Sequence, residues 1–153
     1  MITLYDYWRS SAAYRVRLAL NLLGLRYDRV AVDLTKGEQR GAENTARNPQ
    51  GLVPTLEIDG LVLTQSLAII EYLDQTRGGL LPSDAVSRAQ ARALAYAIAM
   101  EIAPVCNLSV RTHVASLGGM TADDWQRHYI GKGLAAFEAM LGNAASNHQR
   151  LAP

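Results

Sequence analysis

A single cysteine, Cys106, stands in the whole chain, which excludes a disulfide framework, a CxxC redox pair and a cluster of metal-binding thiolates. Histidine is scarce as well. His113, His128 and His148 have neither HExxH nor any other metal-ligand spacing, so no metal is expected. Lysine is confined to Lys36 and Lys132, and a formal net charge of +1 lacks the concentrated basic face that nucleic-acid binding needs. No apolar run approaches the roughly 20 residues that span a bilayer. No leader precedes the strand-like Ile2 to Tyr5, so a cytoplasmic protein with no membrane or nucleic-acid partner is expected.

What remains is ordinary for a soluble globular protein, with 49% apolar and 19% charged residues. Ile2 to Tyr5 reads as a strand, and Ser10 or Ser11 can cap a helix to about Leu23, with Gly24 as its stop. Alternation at Val30, Val32 and Leu34 reads as a second strand. A polar stretch from Thr35 to Gln50 leaves room for a short helix around Ala42. Thr55 to Ile58 and Leu61 to Thr64 then flank Asp59-Gly60, a strong hairpin signal, and Ser66 caps a helix that ends at Gly78-Gly79.

The character changes at residues 80–85, which read as a linker. Val86 to about Ala115 is alanine-rich and helical with a kink at Pro104, and Gly118-Gly119 breaks it. "TADD" opens a last helix from about Ala122 to Leu141, with a polar loop as the tail. The organisation expected is thus a mixed α/β unit over 1–79, a linker, and an all-helical unit over 86–153.

Three features could carry chemistry. In "YWRSSAAYRVRLAL", Ser10 and Ser11 follow a strand and open a helix, where free N–H groups and the helix dipole favour an anion or a thiolate. Plain capping would use the same serines. In "LVPTL", a cis bond before Pro54 would turn the Val53 N–H and C=O outward to pair with an extended peptide, while a trans proline would merely open an edge strand. In "TQSLAII", Gln65 and Ser66 repeat the anion-receiving design at a second helix start, again with capping as the alternative.

Together these segments resemble the zeta class of glutathione transferases, the maleylacetoacetate isomerase family. "SSAAYRVRLAL" is similar to the family's Ser-Ser-Cys-x-Trp-Arg-Val-Arg-Ile-Ala-Leu signature, and "NPQGLVPTLEIDG", "QSLAIIEYL" and "NLSV" match further segments, so the likeness covers about residues 1–141. It implies a thioredoxin-like α/β N-terminal domain, an all-α C-terminal domain and a homodimer that binds glutathione. By matching motif, Ser10 and Ser11 would face the glutathione sulfur, and Val53 before cis Pro54 would pair with the cysteinyl backbone. Gln65 and Ser66 would hold the γ-glutamyl end, and Gln39 would also touch the peptide. Asn107 and Ser109 would lie near the active site.

The reaction implied is glutathione-dependent conversion of maleylacetoacetate to fumarylacetoacetate in tyrosine and phenylalanine breakdown, by reversible thiolate addition to the conjugated double bond. Arg9 is the candidate for a carboxylate of the small dicarboxylate substrate. Arg15 would either do likewise or pair with an acidic core residue.

The sequence departs from the pattern at Ala12, where the signature has cysteine, at Tyr14, where it has tryptophan, and at Ala103, where some members place a glutamine. The family also continues beyond residue 153, so the helical domain is expected to be incomplete and to expose apolar faces. Maleylpyruvate isomerisation, transfer to or dehalogenation of other small electrophiles, and non-catalytic glutathione binding are the alternative activities. The first goes with arginines at the positions of Leu108 and Ser109.

Overall fold

The computed structural model describes the backbone of residues 1–151 and the surroundings of side chains 1–143. The chain divides into two compact units, Met1–Leu81 and Pro82 onward.

The first unit is built on a four-stranded sheet of β1 (Thr3–Asp6), β2 (Asp28–Ala31), β3 (Thr55–Ile58) and β4 (Leu61–Thr64), in the order β2-β1-β3-β4. β1 and β2 run parallel, joined by α1 (Ser11–Leu22), whereas β3 is antiparallel to both β1 and β4. Asp59 and Gly60 both take positive φ in the two-residue turn between β3 and β4, the backbone that Asp-Gly favours. A 3-10 turn at Glu38–Arg40 and α2 (Ala42–Arg47) fill the segment read as irregular.

Strand alternation sends Leu4, Leu56 and Ile58 to one face, where they meet Val16, Ala19 and Leu20 of α1 and Ile69 and Leu73 of α3 (Ser66–Arg77). Tyr5 points to the opposite face and packs with Val32 and Val53. β2 departs from the alternation expected of it: all four of its residues are exposed, Val30 among them. Only Val32 and Leu34, beyond the strand's end, pack inward, because β2 lies at the sheet edge.

α3 ends at Gly78, whose φ of 76° is left-handed. The buried Asp74 carboxylate then accepts the Leu80 and Leu81 N–H groups at 3.0 and 2.9 Å, holding the chain as it leaves the helix.

The second unit is helical: α4 (Ala85–Tyr96), α5 (Leu108–Leu117) and α6 (Ala122–Leu151). Asp84 caps α4 by accepting the Ser87 N–H at 2.8 Å. The interruption expected at Pro104 begins earlier, in a π-helical turn over Ala97–Ile102, with the Ala103 N–H reaching Ile98 O at 2.9 Å. Thr121 opens α6, its hydroxyl accepting the Asp124 N–H and donating to the Asp124 carboxylate.

The polar tail expected to be loop from Gly142 is instead a continuation of α6 as far as Leu151; Ala152 and Pro153 lie outside the described residues. Ala144 and Ala145 stand there and no proline intervenes before Leu151, so a polar composition alone does not stop a helix.

Gly133 lets α6 approach the π-helical turn closely. A Cβ on it would stand 2.4 Å from Ile102 Cγ1 and 2.5 Å from Cδ1. Overpacking at such a contact costs about 1–3 kcal/mol, against about 1 kcal/mol gained from replacing a helical glycine. Gly133→Ala is therefore expected to destabilise the protein by about 1 kcal/mol in urea unfolding, and Ile102→Ala in the same chain should remove the steric part.

Candidate functional site

The register of the strands determines where the candidate residues meet. Asp6 pairs with Ala31, Tyr5 with Thr55, and Thr55 with Thr64, so β1, β2 and β4 finish at the end of the sheet where β3 begins. The loop 7–10, the segment 32–54 and Gln65-Ser66 are consequently neighbours, although they are far apart in sequence. A ligand at this end meets two helix N-termini, those of α1 and α3.

At α1 the two serines have different tasks. Ser10 is the N-cap, with φ −72° and ψ 117°, and its Oγ accepts the Ala13 N–H at 3.2 Å. The Tyr14 N–H takes the Ser10 carbonyl at 2.9 Å. Ser11 is the first helical residue and exposed, and the Ser11 and Ala12 N–H groups make no backbone hydrogen bond among the described residues. Ser11 is thus the serine available to a ligand.

The preceding loop is clamped from below. Arg17 donates to the Asp6 carboxylate at 2.6 Å and to the Trp8 carbonyl at 3.1 Å, and Arg29 reaches the other Asp6 oxygen at 3.0 Å. Arg9 is exposed and its guanidinium stands 5.5 Å from the centre of the exposed Trp8 ring. The core carboxylate, Asp6, is therefore taken by Arg17 and Arg29. Arg15 does not pair with it and instead donates to Ser66 Oγ at 2.8 Å, half-buried, with its pKa lowered by loss of solvent.

The start of α3 differs from the expected cap. Ser66 is the first helical residue and Gln65 the N-cap, and no side chain among the described residues caps this end. Ser66 is buried and Gln65 is exposed. Gln65 holds φ 67° and ψ 109°, a backbone conformation costly for any residue but glycine, and its Nε2 donates to Gln50 Oε1 at 2.7 Å. Gln65→Gly is expected to leave stability equal or higher by up to about 1 kcal/mol. The same change should weaken the binding of an anionic peptide, and thermal melts with calorimetric titration of glutathione measure the two effects separately.

The Val53-Pro54 bond is cis, and both residues are buried. Among the described residues, neither the Val53 N–H nor its carbonyl makes a backbone hydrogen bond, so both remain for an extended ligand. Asn48 shapes the loop before them: its side chain donates to Leu52 O at 3.0 Å and accepts the Gln50 N–H at 3.1 Å. Gln39, in the 3-10 turn, backs onto this loop, with Gly51 so close that a Cβ would stand 3.3 Å from Gln39 O. Gln39 Oε1 is buried without a partner among the described residues.

In the helical unit Asn107 is the N-cap of α5 and Ser109 lies in its first turn, both exposed. Cys106 is half-buried and burial pushes its thiol pKa up, so it is a packed residue rather than a nucleophile. Among the described residues no cluster of His, Cys, Asp and Glu could hold a metal ion, and no single helix is long and apolar enough to cross a membrane.

Sequence reasoning missed Gln50, Asn48, Trp8 and Arg17. The Asn-Pro-Gln-Gly run was a signal for the first two, since Asn-Pro favours turn initiation. Unpaired backbone at Val53, an unpartnered Gln39 oxygen and two open helix starts fit a short peptide carrying a carboxylate and a thiolate.

Comparison with known proteins agrees. Residues 1–75 match the family model "Glutathione S-transferase, N-terminal domain". A maleylacetoacetate isomerase of Rhizobium meliloti is 57% identical over 148 residues, covering 94% of this chain and 70% of that protein. A maleylacetoacetate isomerase of Methylobacterium extorquens AM1, solved with bound malonate and glutathione, superposes with a TM-score of 0.85 at 43% identity, covering 92% of this chain and 69% of the other. A bacterial maleylpyruvate isomerase of the zeta class gives a TM-score of 0.86 at 39% identity, covering 90% and 67%. The fold is a thioredoxin-like α/β domain followed by helices, and the chain belongs to the maleylacetoacetate isomerase family, the zeta class of the glutathione transferases.

Proposed function

We propose that this protein is a glutathione-dependent isomerase that converts maleylacetoacetate to fumarylacetoacetate. The observation that carries the reading is the open start of α1. Ser10 is used as the cap, while the Ser11 hydroxyl and the first N–H groups stay available at the sheet end that also holds Val53 and Ser66. Bound glutathione supplies a thiolate that adds reversibly to the conjugated double bond.

The chain's own residues bind and orient. Ser11 and the α1 dipole lower the thiol pKa and hold the sulfur at one place. Val53 pairs with the cysteinyl backbone, Gln39 accepts from the peptide, and Gln65 with Ser66 holds the γ-glutamyl end. Arg9, kept over Trp8, meets a carboxylate of the substrate.

The reading also comprises a glutathione-binding domain over 1–79, a linker over 80–85 and a helical domain over 86–153. It takes in a homodimer, a cytoplasmic location and a place in tyrosine and phenylalanine breakdown, all supported by the family resemblance.

The test supplies glutathione and maleylacetoacetate and follows appearance of the trans product. Turnover that requires glutathione is expected. Retention of glutathione without turnover would leave only a binding module, and faster turnover of maleylpyruvate would reassign the substrate. Leu108 and Ser109, where maleylpyruvate isomerisation goes with arginines, favour maleylacetoacetate.

A further inference from the structure

Arg15 is electrostatically misplaced for stability alone. It is half-buried, forms no ion pair with a carboxylate among the described residues, and its guanidinium lies at the first residue of α3, the positive end of that helix dipole. A cation is stabilised at a helix C-terminus and disfavoured at an N-terminus. Burial removes part of its hydration, which no neighbouring carboxylate restores. Two positive features converge with no protein anion among the described residues to balance them.

The hydrogen-bond arithmetic of Ser66 completes the argument. A serine hydroxyl has one proton and two lone pairs. Ser66 Oγ accepts from Arg15 Nη1 at 2.8 Å, and guanidinium nitrogens only donate, so the Ser66 proton must be given to some other group. Ser66 is only 6% exposed, which narrows where that proton can point. The neighbouring side chain, Gln65, has one of its amide hydrogens on Gln50. The uncapped N–H groups of α3 stand beside the hydroxyl.

We propose that Arg15 is a positioning residue. By occupying Ser66 Oγ as a donor, it compels the Ser66 hydroxyl to donate to the α-carboxylate at the γ-glutamyl end of bound glutathione, and it acts through that hydroxyl alone. The inference rests on the assignment of Gln65 and Ser66 to the γ-glutamyl end. It also links the two helix starts: Arg15 lies one turn beyond Ser11 on α1 and ends on α3.

The experiment measures glutathione affinity by calorimetry and kcat at saturating glutathione for wild type, Arg15→Met, Arg15→Lys, Ser66→Ala and the Arg15→Met/Ser66→Ala double variant. Each is titrated both with glutathione and with γ-aminobutyryl-cysteinylglycine, which lacks only the α-carboxylate. Arg15→Met should weaken glutathione binding about tenfold or more, the scale of one charge-assisted hydrogen bond. It should leave binding of the peptide without the α-carboxylate and kcat nearly unchanged, and thermal stability equal or higher.

Arg15→Lys should recover part of the loss. The double variant should bind as weakly as Ser66→Ala alone, because Arg15 acts through that hydroxyl. Equal losses on both peptides, a fall in stability as large as the fall in affinity, or additive losses in the double variant would overturn the proposal. A wild-type protein that binds the peptide without the α-carboxylate as tightly as glutathione would overturn it together with the γ-glutamyl assignment. A wild-type protein that binds neither peptide would overturn the functional reading on which both stand.

Discussion

Asp6→Ala is expected to lower the stability of the first unit by about 3–5 kcal/mol, the cost of removing one partner from a buried ion pair. Asp6 is 1% exposed, and each of its oxygens takes an arginine, Arg17 at 2.6 Å and Arg29 at 3.0 Å. The two arginines do not weigh equally. Arg17 is 14% exposed and would be left charged with little solvent, whereas Arg29 is 49% exposed and can rehydrate.

Most of the loss therefore comes from stranding Arg17. Removing it together with Asp6, as Asp6→Leu with Arg17→Met, should return much of the stability, because an apolar pair of similar volume carries no desolvated charge. Urea unfolding at constant m-value gives the comparison. A loss below 1 kcal/mol for Asp6→Ala would mean that water reaches Arg17 once its partner is gone. The alanine variant should also bind substrate more weakly, since Arg17 holds the Trp8 carbonyl and thereby the loop that presents Arg9.

Ser11→Ala should reduce turnover at neutral pH about 10- to 100-fold, because a hydrogen bond to a charged group contributes about 1.5–3 kcal/mol and each 1.36 kcal/mol is one pKa unit. The sign follows from what is lost. Without the hydroxyl, the bound thiol is harder to ionise, so its pKa rises and the thiolate becomes scarce at neutral pH. Raising the pH should then restore much of the rate, and the acid limb of the pH–rate profile should move to higher pH. Ser10→Ala is the contrast. It removes the cap of α1, costing about 1 kcal/mol of stability, and moves the pH profile little. If Ser10→Ala shifts the profile and Ser11→Ala does not, the roles of the two serines are exchanged.

How much of this was legible depended on the range of the interaction. The hairpin was found to the residue, since Asp59-Gly60 dictates its own turn and period-two patterns flank it. Both candidate helix starts were visible as serines after strands. Which serine caps α1 depends on one φ/ψ pair at Ser10, and the shift of Ser66 from cap to first helical residue depends on a left-handed Gln65 that no propensity scale anticipates.

Partners distant in sequence were not legible at all. Arg15 meets Ser66 across 51 positions and Gln65 meets Gln50 across 15, and only the strand register brings them together. The two arginines of "YRVRLAL" look alike in sequence. On the helix they point to different neighbours, one to a hydroxyl and one to the buried carboxylate.

The strand register has an evolutionary consequence. Because β1, β2 and β4 all finish where β3 begins, the first unit has one pole that gathers the residues of the proposed site and an opposite pole, around Gly24 to Tyr27 and the Asp59-Gly60 turn, that carries none of them. On that reading, substrate preference can vary at exposed positions of the first pole such as Arg9, Ser11 and Gln65, whereas Asp6 at the same pole holds the scaffold. The second offers Arg26, exposed and outside every strand and helix, as a place to attach a reporter that leaves the chemistry untouched.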